Sequence, residues 1–232
     1  MIAAVLFDLD DTLYPQSQFL DAAWDAVARA GAAAGVLPVG LRAALSVVAA
    51  QGSDRGRIID RALALADGGT CEVQPLVSAF LTATPDELTP YPGVVEALAE
   101  VRFRVPIGLV TDGAPDVQRA KLRALRLEDA FDVVVLSDVL GRAFRKPDPT
   151  PFLAAARALG VDPSDVVVVG DRPDKDVAGA LAAGMEPVRV VSGEYAHQAD
   201  PLPLGSRVGS VVEAVAALRA RLPDRRRTVV TG

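Results

Sequence analysis

The chain contains no asparagine, only three lysines (Lys121, Lys146 and Lys175), and a single cysteine, histidine and tryptophan. One cysteine, Cys71, excludes an intrachain disulfide and fits a reducing compartment. Neither Cys71 nor His197 stands in a nucleophile motif, so a small packed residue is the reading for Cys71, and Trp24 is read as a core residue. No apolar run reaches membrane-spanning length, so no membrane partner is expected. No basic segment precedes an apolar one near Met1, so no signal peptide is expected and a cytoplasmic location is. The net charge of -6 argues against a nucleic-acid partner. Arg225, Arg226 and Arg227 form a short basic tail, read as a solvated terminus. Much arginine and alanine beside little lysine reads as the codon usage of a GC-rich genome.

What is present is ample for a globular core: 232 residues, 50% of them hydrophobic and 23% charged. The apolar run Ile2 to Phe7 predicts a buried parallel strand that stops at Asp8. Residues 14–89 carry helical periodicity with no evident strand, and glycines at 31, 35, 52, 68 and 69 punctuate four helices. This block is expected to be an inserted all-helical subdomain. The breaker-rich stretch Thr84 to Gly93 is the expected return to the first domain. From there apolar strands at 105–110, 132–136, 165–169 and 187–191 alternate with helices. The predicted fold class is therefore α/β: a Rossmann-like parallel sheet core with helices on both faces, built from residues 1–13 and 90–232, plus the helical insertion.

In an open parallel sheet, ligands bind beyond the carboxyl ends of the strands. Here those ends carry Asp8 and Asp10, Thr111 and Asp112, and Asp171, with Lys146 in a loop after another strand. Asp8 and Asp10, two apart on an extended segment, lean to one side and repel unless a cation lies between them. Asp8, Asp10 and Asp171 offer oxygen ligands for a hard cation such as Mg²⁺. Thr111, the Asp112-Gly113 turn and Lys146 suit the oxygens of a phosphate. Together they describe a phosphoryl-transfer site.

In this order the residues resemble four motifs of the haloacid dehalogenase superfamily: Asp8-Leu9-Asp10-Asp11-Thr12, Thr111-Asp112-Gly113, Lys146-Pro147-Asp148, and Gly170-Asp171 followed by Asp176. The resemblance covers about residues 1–195 and includes a helical cap between the first two motifs. It implies that Asp8 is a nucleophile forming an acyl phosphate, and that Asp10 is the general acid and then general base, so that it must hold a proton beside an anionic site. It implies Mg²⁺ on the Asp8 carboxylate, the Asp10 backbone carbonyl and the Asp171 carboxylate, with Asp176 behind them. Thr111, Asp112 and Lys146 would hold the phosphoryl group; Thr12 would shape the turn. Asp112 stands where many relatives have Asn.

The presence of Asp10 points to phosphorus chemistry over dehalogenation, and the absence of lysine between residues 14 and 120 argues against the phosphonate-cleaving branch. The expected function is a Mg²⁺-dependent phosphatase for a small phosphorylated metabolite: a sugar phosphate, an acyl-sugar phosphate or a nucleotide-like ester. A sugar-phosphate mutase and a non-catalytic binding domain on the same fold are the alternatives. The small phosphate ester is the expected partner of a monomer or homodimer. Arg55 and Arg57 are the candidate specificity residues of the cap, as a positive cluster facing the rest of the substrate.

Overall fold

A computed structural model of the chain describes residues 1–52, 56–68, 71–200 and 206–224. Arg55 and the Arg225–Arg227 tail lie outside the described residues. The chain divides into two compact units: Met1–Gln16 with Thr89–Gly232, and Ser17–Leu88.

In chain order the regular elements are β1 (Ala4–Phe7), α1 (Gln16–Ala33), α2 (Pro38–Ala49), α3 (Ile58–Leu65), α4 (Val73–Leu81), α5 (Val94–Arg104), β2 (Ile107–Thr111) and α6 (Pro115–Ala124). They continue with β3 (Val133–Leu136), α7 (Ser137–Leu140), α8 (Thr150–Leu159), β4 (Val166–Gly170), α9 (Ala178–Ala182), β5 (Glu186–Val190), β6 (Arg207–Val208) and α10 (Val211–Leu218).

The first unit is a six-stranded sheet in the order β3-β2-β1-β4-β5-β6, with every neighbouring pair parallel. β1 is central because all four of its residues are buried and apolar, which suits a strand covered on both faces. Ala4 and Leu6 join Val166, Val168 and Phe152 in one core cluster, on the face covered by α8 and α9. Val5 and Phe7 alternate to the opposite face and are also fully buried. There α5 and α10 pack on each other and reach β2 and β5. The chain goes one way from β1 through β2 to β3 and the other way through β4 to β6, so the order reverses at β1.

Besides the short helix α7, two features near the carboxyl ends of the later strands were not predicted. β6, only two residues long, adds a sixth strand beside β5. The helix expected from Asp174 starts instead as a π-helical turn, Pro173–Val177, before continuing as α9. Its side chains Pro173, Asp176 and Val177 are buried, and π-turns of this kind recur at functional sites.

The second unit is built by α1–α4 around Trp24, Val27, Leu41, Leu45, Val48, Leu63 and Leu76. Phe80 meets Phe19 edge-on at 6.0 Å and Trp24 at 4.9 Å, which places Trp24 in the core.

Candidate active site

The carboxyl ends of β1, β2 and β4 bring the candidate residues together. Phe7 sits in register with Leu109 of β2 and Val169 of β4, and the Asp8 N–H extends that ladder to the Val169 carbonyl at 2.9 Å. Asp8 thus leaves the sheet beside Asp171, the residue after β4. A side chain at Gly170 would place its Cβ 2.5 Å from the Asp176 carboxyl carbon, so only glycine allows the π-turn to fold back over the strand end.

Asp8, Asp171 and Asp176 are all buried, and each offers a carboxylate oxygen within 4.8 Å of the others. Lys146 stands among them. Its Nζ donates to Asp8 Oδ1, to Asp176 Oδ1 at 2.6 Å and to the Val110 carbonyl at 3.3 Å. Thr12, expected only to shape the turn, has its hydroxyl 3.3 Å from Asp8 Oδ2 and 3.1 Å from Asp171 Oδ1, as a shared donor. Asp176 also accepts the Arg172 N–H at 3.0 Å.

Three acids around one ammonium leave the cluster short of positive charge, and the titration behaviour follows. Burial pushes Asp8 up to about 7, against the Lys146 charge, with Asp176 adding to the rise. Burial, then Asp8 and Asp176, push Asp171 well above the carboxylate range. Burial alone would lower Lys146; Asp176, Asp8 and Asp112 outweigh it and hold the ammonium above the ordinary lysine range. These groups titrate as one coupled unit. A buried set of hard oxygen donors lacking positive charge fits a divalent cation.

Asp10 is placed differently. Its carboxylate stands apart from that cluster and accepts four hydrogen bonds: from Tyr14 at 2.6 Å, from Lys121 Nζ at 2.7 and 2.8 Å, and from Gln118 Nε2 at 3.2 Å. Burial raises its pKa, but the Lys121 charge and the bonds from Lys121, Tyr14 and Gln118 outweigh it and hold Asp10 below its ordinary value. Lys121 thus favours the charged form of this carboxylate.

Thr111, the last residue of β2, is buried and takes a hydrogen bond from Gln118 Nε2. The Asp112 carboxylate is hydrogen-bonded through one oxygen and lies near a lysine with the other. Its Oδ1 accepts Ser137 Oγ at 2.7 Å and the Lys146 N–H at 3.1 Å, and its Oδ2 is 3.6 Å from Lys175 Nζ. It thereby ties the Lys146 loop to β2, and Lys175 compensates the acid found in place of the commoner Asn.

A second layer holds the floor. Asp11 sits at φ +57 and accepts the N–H groups of Gln16 at 2.9 Å and Glu194 at 3.1 Å. A Cβ at Gly193, itself at φ +62, would fall 2.1 Å from the Asp11 side chain. Arg189 is fully buried and gives its donors to Asp200, to the carbonyls of Tyr195, Ala196 and Gln198, and to the Asp171 carbonyl at 3.3 Å. Of these supporting residues, Arg189 carried no sequence signal beyond an arginine inside an apolar strand. In the helical unit, Arg57 starts α3 at φ +50 with an 82% exposed side chain, 3.3 Å from Asp60.

The model of the haloacid dehalogenase-like hydrolases matches residues 2–184, and the chain belongs to that family. It is 40% identical to a glyceraldehyde 3-phosphate phosphatase of Methanopyrus kandleri over 210 residues, 84% of this chain and 86% of that protein. It is 38% identical to a phosphoserine phosphatase of Thermus thermophilus over 72% of this chain and 66% of that one. Among solved structures, a 2-haloacid dehalogenase from Pseudomonas syringae matches with a TM-score of 0.63 and 29% identity, over 95% of this chain and 99% of that chain.

Proposed function

We propose that this phosphoester hydrolase is a Mg²⁺-dependent phosphatase of small metabolites that works through an aspartyl phosphate on Asp8. The observation that carries the reading is the division of the site into two charge systems. Asp8 lies with Asp171, Asp176 and Lys146, while Asp10, two residues on, is held by Lys121. A nucleophile and a proton carrier need separate environments if they are to keep separate roles.

Asp8, Asp171 and the Asp10 backbone would hold the ion, with Asp176 beside them. Bound there, Mg²⁺ supplies the missing positive charge and neutralises charge on the phosphoryl oxygens. Lys146 and Thr111 hold the phosphoryl group beside the nucleophile, and Asp112 steadies the Lys146 loop. Asp8 Oδ attacks phosphorus as the bond to the ester oxygen breaks, and the leaving oxygen takes a proton from Asp10. That transfer leaves Asp10 ionised. It then removes a proton from water as the water cleaves the acyl phosphate, releasing inorganic phosphate and free Asp8.

The substrate class we favour is a phosphomonoester of about three carbons. Relatives named for glyceraldehyde 3-phosphate and phosphoserine support it, and Ser17–Leu88 acts in this reading as a cap that carries discrimination, with Arg55 and Arg57 as candidates. The test is a panel of three-carbon phosphates, phosphoglycolate, hexose phosphates and nucleoside monophosphates, assayed with Mg²⁺ and with EDTA. Preference for the three-carbon esters, abolished by EDTA, is the expected result. Turnover that survives EDTA overturns the metal assignment, and a preference for nucleotides overturns the substrate class.

A further inference from the structure

Lysine occurs three times among 24 basic residues, and each ammonium pairs with an acid of the site. Lys146 pairs with Asp8 and Asp176, Lys175 with Asp112, and Lys121 with Asp10. The proposed mechanism uses Lys146 and, through Asp112, Lys175. It leaves Lys121 and its neighbour Gln118 without a task, although both are buried.

Lys121 and Gln118 are three apart on α6 and therefore share one face of the helix. That face delivers two side chains to Asp10. Lys121 Nζ bridges both carboxylate oxygens at 2.7 and 2.8 Å, and Gln118 Nε2 binds Oδ2 at 3.2 Å while also bonding Thr111. Tyr14 closes the set from the chain's own turn, through its 2.6 Å bond to Oδ1. A short acidic side chain with both oxygens engaged from three directions has one orientation available. Loss of those partners would let Asp10 lean toward Asp8, the side that a spacing of two favours. The compact lysine ammonium suits the task, because it offers several donors from one point.

We propose that Lys121, assisted by Gln118 and Tyr14, is a positioning residue of the reaction: it fixes the Asp10 carboxylate in the orientation from which protons pass to and from the substrate. The inference rests on the reading of Asp10 as proton carrier, and its test separates the two. A residue that acts through proton donation matters for a leaving group that needs a proton and not for one that leaves as a stable anion. Phenyl phosphate and 2,4-dinitrophenyl phosphate share the phosphorylated ring and differ in that need.

The experiment compares kcat/KM for these two esters in the wild type, Asp10→Asn, Lys121→Met, Lys121→Arg and Tyr14→Phe, with circular dichroism to verify folding. Asp10→Asn is expected to lose roughly 100-fold or more on phenyl phosphate and less than about tenfold on the dinitrophenyl ester. Lys121→Met should show the same selectivity at a loss of some tens of fold, Lys121→Arg should recover most of it, and Tyr14→Phe should show a smaller loss in the same direction. If Asp10→Asn is selective and Lys121→Met loses equally on both esters, the positioning role is overturned and the reading of Asp10 stands. If Asp10→Asn is itself unselective, that reading falls first. Should Lys121→Met not fold, Lys121→Arg and Tyr14→Phe decide: equal effects on both esters, or none, overturn the proposal.

Discussion

The two units of this protein bury different things. Among the described residues, twelve polar or charged side chains are buried, and all twelve belong to the sheet unit; Ser17–Leu88 contains none. The helical unit has an ordinary interior of Leu, Val, Ala, Ile and Trp. The sheet unit encloses Asp8, Lys146, Asp171, Asp176, Lys121 and Arg189, each matched to partners of opposite charge or to hydrogen-bonding groups. Burying charge costs stability unless it is paired, so a concentration of it marks where a fold has been shaped for chemistry. The helical unit shows no such concentration among its described residues.

The sharpest way to break this contrast is to remove the group at the centre of the charge system. Asp8→Asn is expected to lower kcat by a factor of about 10⁴ to 10⁶, the scale seen when a nucleophile is lost, with the fold intact. A well-folded variant with near-normal turnover of phenyl phosphate would show that Asp8 forms no covalent bond. Lys146→Met should be the next largest effect. It leaves Asp8 and Asp176 buried without their cation, and removing one partner of a buried pair costs about 3–5 kcal/mol. Urea denaturation measures that loss, and Mg²⁺ should restore part of it. A variant as stable as the wild type without metal would mean that water reaches these acids.

The helical unit supplies the matching test. Leu45 is fully buried among apolar neighbours, so Leu45→Ala should cost about 2–5 kcal/mol through the cavity alone. Its expected signature is lower stability with no change in how stability responds to pH or Mg²⁺. A shift in either response would show that the two interiors are coupled.

The pH dependence sharpens the comparison further. Asp8 rises to about 7 on folding from an ordinary value of 3.8. Between those values the folded chain keeps a proton that the unfolded chain has released. Without metal, the stability of the protein should therefore fall as pH rises toward 7 and level off above it. A divalent cation takes the place of that proton, so the rise in Tm on adding Mg²⁺ should be larger at pH 8 than at pH 5.5. An equal rise at both would separate the ion from Asp8. Asp10 has the opposite sign: held low by Lys121, it contributes stability that is lost only as pH falls through its depressed value.

The sheet and its site were legible in the sequence to different depths. Uniformly apolar runs before Asp8, Thr111 and Asp171 marked parallel strands, because a strand buried on both faces shows no alternation. β6 was not legible, since two residues at a sheet edge carry no periodicity. Asp8, Lys146 and Asp171 were legible because acids and a lysine at strand ends stand out against apolar neighbours. Gln118 and Lys121 were not, because at a spacing of three they read as the wet face of any amphipathic helix. Only the tertiary fold turns that face inward. The one signal available was lysine's rarity, which the codon-usage reading absorbed. The cation beside Asp10 was not legible for the same reason: it comes from a helix more than a hundred residues away.

The smallest expected effect lies on the surface of the helical unit. Arg57 is the described member of the proposed specificity pair, mostly exposed and 3.3 Å from Asp60 at the start of α3. An exposed pair of this kind contributes little to stability, so Arg57→Ala should leave the denaturation midpoint nearly unchanged. A charge-assisted hydrogen bond to substrate contributes more, about 1.5 kcal/mol at the low end, which is about tenfold in KM. The variant should therefore raise KM for the preferred three-carbon ester by about that factor, with kcat held, and leave phenyl phosphate alone, because that ester offers nothing beyond its phosphoryl group for an arginine to bind. Equal changes on both esters would tie Arg57 to the fold or to the phosphoryl site. No change on either would make its pairing with Asp60 its whole role, and would move discrimination to other exposed side chains of Ser17–Leu88.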